Sequence, residues 1–151
     1  MEQVGWDEAQ AYSDAAGMRL PAEAEFEYAA RGGNPSARYG MFDSVAWYSN
    51  NSGGKTHQVG QKPANGFGLF DRLGNVWQSV ADWYEEKYYG QSPAADPTGP
   101  GTGQWRVQRG GSSGDNPSNV RFGPLQAGAA GTERLCRVPV RRGIALDVGC
   151  G

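Results

Sequence analysis

Sulfur and imidazole are scarce in this chain: two cysteines, three methionines and one histidine occur among 151 residues. Cys136 and Cys150 both fall in the last sixteen residues, a placement that supplies neither a disulfide framework nor a zinc-ligand spacing. The lone histidine, His57, sits in a polar stretch without a Ser or Cys neighbour, so it reads as a solvated side chain and not as part of a catalytic triad. Long apolar runs are missing too, since none approaches the ~18 residues of a membrane span. The opening Met1-Glu2-Gln3-Val4-Gly5-Trp6 has neither the basic nor the apolar region of a secretory signal. Like charges never run to five or six in a row, and the formal net charge is −2. Nucleic-acid stripes and polybasic membrane tails are thereby excluded. A cytoplasmic place is expected only if the chain is complete, and the expected partner is a protein or a small-molecule ligand, with no nucleic acid and no membrane.

What is abundant is glycine (24) and proline (9), more than a fifth of the chain against an average near ~12%. The glycines are scattered between aromatics, which points to a turn-rich domain of short elements. Two helices are legible. The first spans Trp6 to Ala16, with Asp7 and Glu8 in the first turn, Gly17 as the stop, and Ala9, Tyr12 and Ala16 as the expected buried stripe. The second opens at Pro21 and ends before Gly32-Gly33. Short strands are expected at Thr56–Val59, Gly68–Phe70, Val76–Trp83 and Arg106–Arg109. Helices followed by scattered strands give an α+β class. Trp77 and Trp83 are expected in the core because such rings bury large areas. Tyr88 and Tyr89, in a polar loop, are the candidate ligand contacts. The closing Ala145-Leu-Asp-Val-Gly-Cys-Gly151 imitates the glycine-rich first motif of methyltransferases. Without a following helix it reads as coincidence.

Three separated blocks carry a family resemblance. Arg19-Leu-Pro-Ala-Glu-Ala-Glu-Phe-Glu-Tyr-Ala-Ala-Arg-Gly32 comes first, then Asn65-Gly-Phe-Gly-Leu-Phe-Asp-Arg-Leu-Gly-Asn-Val-Trp77, then Arg106-Val-Gln-Arg-Gly-Gly-Ser112. In order and spacing they resemble the signatures of the formylglycine-generating-enzyme, or sulfatase-modifying-factor, family. The resemblance implies an irregular fold related to C-type lectins. In that family an oxidase uses copper(I), a soft ion suited to thiolates, held by two cysteines just after the Gly-Gly-Ser element. The matching positions here are Asp115 and Val120, neither of which offers sulfur. No copper and no oxidase catalysis are therefore expected. The resemblance also implies a calcium site at Asp71, Gly74, Val76 and Gln78, an oxygen set suited to that hard cation. Gln78 stands where the family carries Glu, so one negative charge is lost.

The resemblance ends near Arg121. Dropping one base from the codons that follow permits a family-like ending with its closing Gly-Phe-Arg-Cys, so residues 122–151 read as a frameshifted, poorly packing tail on a partial domain, 1–121. Pro139 occupies the replaced strand and cannot donate to a sheet ladder. The front is likewise expected to be cut, and the domain to be marginally stable. The functional expectation is a non-catalytic binding module or an inactive fragment. The alternative is an oxidase of the formylglycine-generating type acting on a protein or thiol in a longer, in-frame form.

Overall fold

The computed structural model describes residues 4–34 and 41–120, together with the backbone of three short strands at 127–129, 140–141 and 144–145. Helix α1 (Trp6–Ala15) carries Asp7 and Glu8 in its first turn, and the Glu8 carboxylate accepts the Gly5 N–H at 2.7 Å. Its contact ridge differs from the expected one: Ala9 and Ser13 are buried, whereas Tyr12 is 52% exposed. Small residues at i and i+4 let the helix lie close to the body, and a wide aromatic stripe is not needed because Trp6 does the anchoring. The Trp6 indole N–H donates to Val80 O at 2.7 Å. Its ring also forms one face of a sandwich in which the Arg106 guanidinium lies 3.5 Å from the Trp6 centroid and 3.5 Å from that of Trp83. Stacked cation–π contacts of this kind hold the helix to the sheet.

Helix α2 (Glu23–Arg31) starts two residues later than the proline suggests. The Pro21 carbonyl accepts the Ala81 N–H at 2.8 Å, which ties Pro21 to a strand and leaves Ala22 as the N-cap. The Glu25 carboxylate then accepts the Ala22 N–H at 2.8 Å, and Asp82, from another element, accepts that of Glu23 at 2.7 Å. These bonds satisfy amides that the first helical turn leaves open. At the other end Gly32 adopts φ 57°, the left-handed cap foreseen in the sequence. Asn65 donates from its side-chain amide to the carbonyls of Ala29 (2.7 Å) and Ala30 (3.1 Å).

A short helix, α3 (Phe42–Val45), runs straight into β1 (Ala46–Trp47), which pairs in parallel with β2 (Leu73–Gly74). None of these three was foreseen. The two strands expected at Thr56–Val59 and Gly68–Phe70 are absent, because asparagine side chains take their backbone groups. Asn75 accepts from the His57 N–H (2.8 Å) and donates to the His57 carbonyl (3.0 Å), while Asn65 accepts the N–H of Phe67 and of Leu69. Gly74 has φ 71°, and a Cβ there would lie 1.8 Å from the Trp47 carbonyl oxygen, so glycine alone fits.

The main sheet places β4 (Trp105–Arg109) between β3 (Gln78–Trp83) and β5 (Ala127–Ala129), all antiparallel. β3 and β4 therefore form as expected, within two residues. The β3–β4 register runs from Gln78↔Arg109 to Trp83↔Arg106 with an irregularity between Ser79 and Trp83. A separate hairpin joins β6 (Val140–Arg141) to β7 (Ile144–Ala145). Beyond these backbone pairings, the frameshifted tail expected at 122–151 lies outside the described residues. Phe26 and Ala30 of α2 pack on Val45, Ala46, Tyr48, Leu73, Val80, Val107 and Val120 to form the core, whose apolar burial drives the fold. Trp77 and Trp83, expected in that core, are only half-buried. Among the described residues no helix is long and apolar enough to cross a membrane.

Candidate functional site

The Gly-Gly-Ser loop leaves β4 at Gly110, whose carbonyl accepts the Gly74 N–H at 2.8 Å. Asp115 turns its carboxylate back onto Ser112, accepting the backbone N–H at 2.7 Å and the hydroxyl at 2.6 Å. The Asp115 carbonyl accepts the Ser49 N–H at 3.0 Å. Val120 is fully buried in the core cluster. At these two positions one side chain closes a turn and the other fills the core. The loop is stapled further by Ser113, whose N–H donates to Asn75 O at 2.9 Å and whose carbonyl accepts the Ser52 hydroxyl at 2.6 Å. Soft copper(I) does not fit a carboxylate and a hydrocarbon.

The four calcium candidates lie along the segment from Asp71 through β2 to the first residue of β3, Gln78. Asp71 is buried with φ 48°, a left-handed conformation that Asp tolerates better than most residues. Its carboxylate accepts the N–H groups of Gly60 and Lys62. The Gly74 carbonyl accepts the Val76 N–H at 2.8 Å, and Gln78 is buried with no formal charge. These oxygens suit calcium in kind, but two of the four already serve hydrogen bonds. No cluster of three or more His, Cys, Asp or Glu that could hold a metal occurs among the described residues.

Tyr88 and Tyr89 sit in a single 3₁₀ turn (Tyr88–Gly90) beside a cleft of about 400 Å³ between α2, β3 and β4, within the size range of small-ligand pockets. Ala24, Ser92 and Pro97 contribute to its walls, and Glu23, Glu27, Asp82 and Arg109 give it an ionic lining. Arg109 is 1% exposed, with Nε 3.3 Å from Glu23 and Nη2 2.8 Å from Glu27. The second Glu27 oxygen takes Arg31 at 2.6 Å. Tyr89 donates its hydroxyl to the Glu23 carboxylate at 2.8 and 2.9 Å.

Burial raises the Glu23 pKa above the usual carboxylate value, with Arg109 opposing. Burial raises that of Asp82 as well, opposed by its bond from the Glu23 amide. The Tyr89 phenol is pushed well above its ordinary value, by burial first and by the Glu23 carboxylate second, so it remains a hydrogen-bond donor.

The structure thus gathers Tyr88 and Tyr89 around a cleft whose ionic lining was not singled out in the sequence. Glu23, Glu27 and Arg109 all lie in the quoted blocks, which was the one visible signal. His57 is also not simply solvated. It is half-buried, stacked on Trp47 at 3.7 Å between centroids and 8° between planes, with Nε2 2.9 Å from Ser52 O.

The family model for the sulfatase-modifying factor enzyme 1-like domain matches residues 1–134. The formylglycine-generating enzyme of Streptomyces coelicolor is 44% identical over 126 residues, covering 72% of this chain and 40% of that enzyme. Among solved structures, Treponema denticola variable protein 1 superposes with a TM-score of 0.65 at 35% identity, over 76% of this chain and 43% of that one. PvdO from Pseudomonas aeruginosa gives a TM-score of 0.69 at 27% identity, over 85% of this chain and 55% of that one. The chain spans about two fifths of the length of the Streptomyces relative. Its mixed helices and strands, its three sequence blocks and these matches agree, and the chain belongs to the sulfatase-modifying factor enzyme 1-like domain family.

Proposed function

We propose that this chain is a ligand-binding domain of its family, with a C-type-lectin-like course of the backbone, that does not perform copper-dependent cysteine oxidation. The observation that supports this reading is the donor set at positions 115 and 120. Asp115 spends its carboxylate on Ser112, and Val120 is enclosed in the core. A thiolate pair would bind Cu(I) and lend it to oxygen chemistry; here a hard carboxylate faces a hydrogen-bonded turn, and no sulfur replaces its partner. Binding is assigned instead to the cleft at Tyr88 and Tyr89, where an apolar wall faces a few fixed polar groups, the usual composition of a small-ligand site.

The test is a Cu(I) competition titration of the 151-residue chain with oxygen uptake measured on a cysteine-containing peptide. No stoichiometric Cu(I) and no peptide-dependent oxygen uptake are expected. One bound Cu(I) together with loss of the peptide thiol would establish the oxidase reading.

Calcium at the Asp71–Gln78 turn is proposed as a weak site only, because Gln78 brings no charge and Asp71 holds the Gly60 and Lys62 amides. Addition of about 2 mM calcium, a concentration in the weak extracellular range, should move the thermal midpoint little. A shift of many degrees would mark a strong site.

A further inference from the structure

The cleft between α2, β3 and β4 is selective in its charge. Glu23, Glu27 and Asp82 line it together with one cation, Arg109, which is 1% exposed and engaged by Glu23 and Glu27. Glu27 is also paired with Arg31 outside the lining, so Glu23 and Asp82 are the acids left to face a ligand. An anion entering the cleft would find that guanidinium buried and already paired with carboxylates. The amino end of α2 would otherwise attract an anion, but Asp82 already accepts the Glu23 amide there at 2.7 Å.

The remaining lining is apolar or aromatic. Tyr88 and Tyr89 stand edge to face, 6.5 Å between centroids and 73° between planes. The Tyr89 ring is kept in place by its hydroxyl bonds to Glu23. Held rings beside carboxylates are the features that recognise an organic cation, through the ring faces and through charge together.

We infer that the cleft receives an organic cation, an ammonium or guanidinium group carried on a short apolar body, with Glu23 and Asp82 facing the charge and Tyr88 and Tyr89 flanking the body. This deepens the binding reading given above and rests on it. Arg109 acts as a positioning residue, holding Glu23 and Glu27 side by side so that neither turns away. Burial already disfavours the charged forms of Glu23 and Asp82, and an incoming cation would relieve that cost.

The experiment is an amide chemical-shift titration of the 151-residue chain with three probes sharing one body: phenethylamine, phenethyl alcohol and phenylacetate. A fourth probe, acetyl-lysine methylamide, carries the same charge on a peptide side chain. Phenethylamine is expected to shift the amides of Ala24, Tyr89 and Ser92, all in the cleft lining, and to bind at least tenfold more tightly than the alcohol or the acid. Tighter binding of the lysine probe would name a protein side chain as the source, and tighter binding of phenethylamine a free amine; either supports the inference. Equal or tighter binding of phenylacetate would overturn the cation class while leaving the cleft a binding site. Shifts with none of the four would overturn the inference outright. Neither result bears on the absence of copper chemistry, which oxygen uptake reads separately.

Glu23→Gln should weaken phenethylamine about tenfold. Should that variant fold poorly, Tyr88→Ala provides the second measure, with an expected loss of several-fold. Unchanged affinity in a folded Tyr88→Ala and a folded Tyr89→Phe would count against the site.

Discussion

Arg109 and Gly110 are adjacent in sequence but belong to two regions built on opposite principles. From Gly110 to Val120 the chain forms a loop held by bonds within itself and by its own backbone groups reaching neighbouring segments, and its last residue is hydrocarbon in the core. Before Gly110, Arg109 projects a buried cation against Glu23 and Glu27 beside an open cleft. A turn can exchange its side chains for Asp and Val and still close, because it needs only a hydrogen-bond acceptor and a filled volume. A buried ion network cannot exchange one member so cheaply, because the partners left behind keep their charge out of water. The contrast shows how one strand end can lead into a turn that tolerates exchange on one side and a charge network that resists it on the other.

The largest effect is expected on the ionic side of this comparison. Arg109→Met leaves Glu23 and Glu27 without their shared cation and should cost about 3–5 kcal/mol, read by urea denaturation. A cost near zero would show that the cleft carboxylates need no counter-charge. On the loop side, Val120→Ala should cost about 2 kcal/mol through the cavity left in the core. Asp115→Ala should cost less, about 1 kcal/mol, for the lost bonds to Ser112. If Asp115→Ala proved worse than Arg109→Met, the division between the two regions would be wrong.

The smallest effect concerns pH, and two glutamates on α2 sharpen it. Glu23 has a raised pKa through burial, so its contribution is complete below the unfolded value of about 4.3 and is lost as pH rises through the folded value. Glu25 has a lowered pKa through its hydrogen bond from Arg19, so its contribution is present above about 4.3 and is lost as pH falls through the folded value. Thermal midpoints should therefore show Glu23→Gln gaining on the parent as pH rises from about 4 to about 7. Glu25→Gln should gain on it as pH falls below about 4. Parallel slopes would contradict opposite environments for residues two positions apart.

Much of the frame was legible in the residues. Pro21 and Gly32 bracketed α2, acidic Asp7 and Glu8 marked the start of α1, and the Arg106–Arg109 run marked β4. Local chemistry decides such features, because caps and glycine stops act within one turn. The same holds for Asp115 and Val120: their lack of sulfur is a property of the side chains wherever they lie. What failed were elements set by distant partners. Thr56–Val59 and Gly68–Phe70 look extended, yet Asn75 and Asn65 intercept their backbone groups. β1 and β2 are two residues each, too short to carry a periodic signal.

Apart from Tyr88 and Tyr89, which their polar loop had marked, the cleft belongs to this second kind. By itself the sequence determined the family frame, the helix ends and the absence of a thiolate pair at positions 115 and 120. Only the tertiary structure brought Glu23 and Glu27 of α2, Asp82 of β3, Tyr89 and Arg109 of β4 to one cavity. Their meeting depends on sheet register and helix docking, which join residues as many as 86 positions apart. No local pattern records a contact made across that distance.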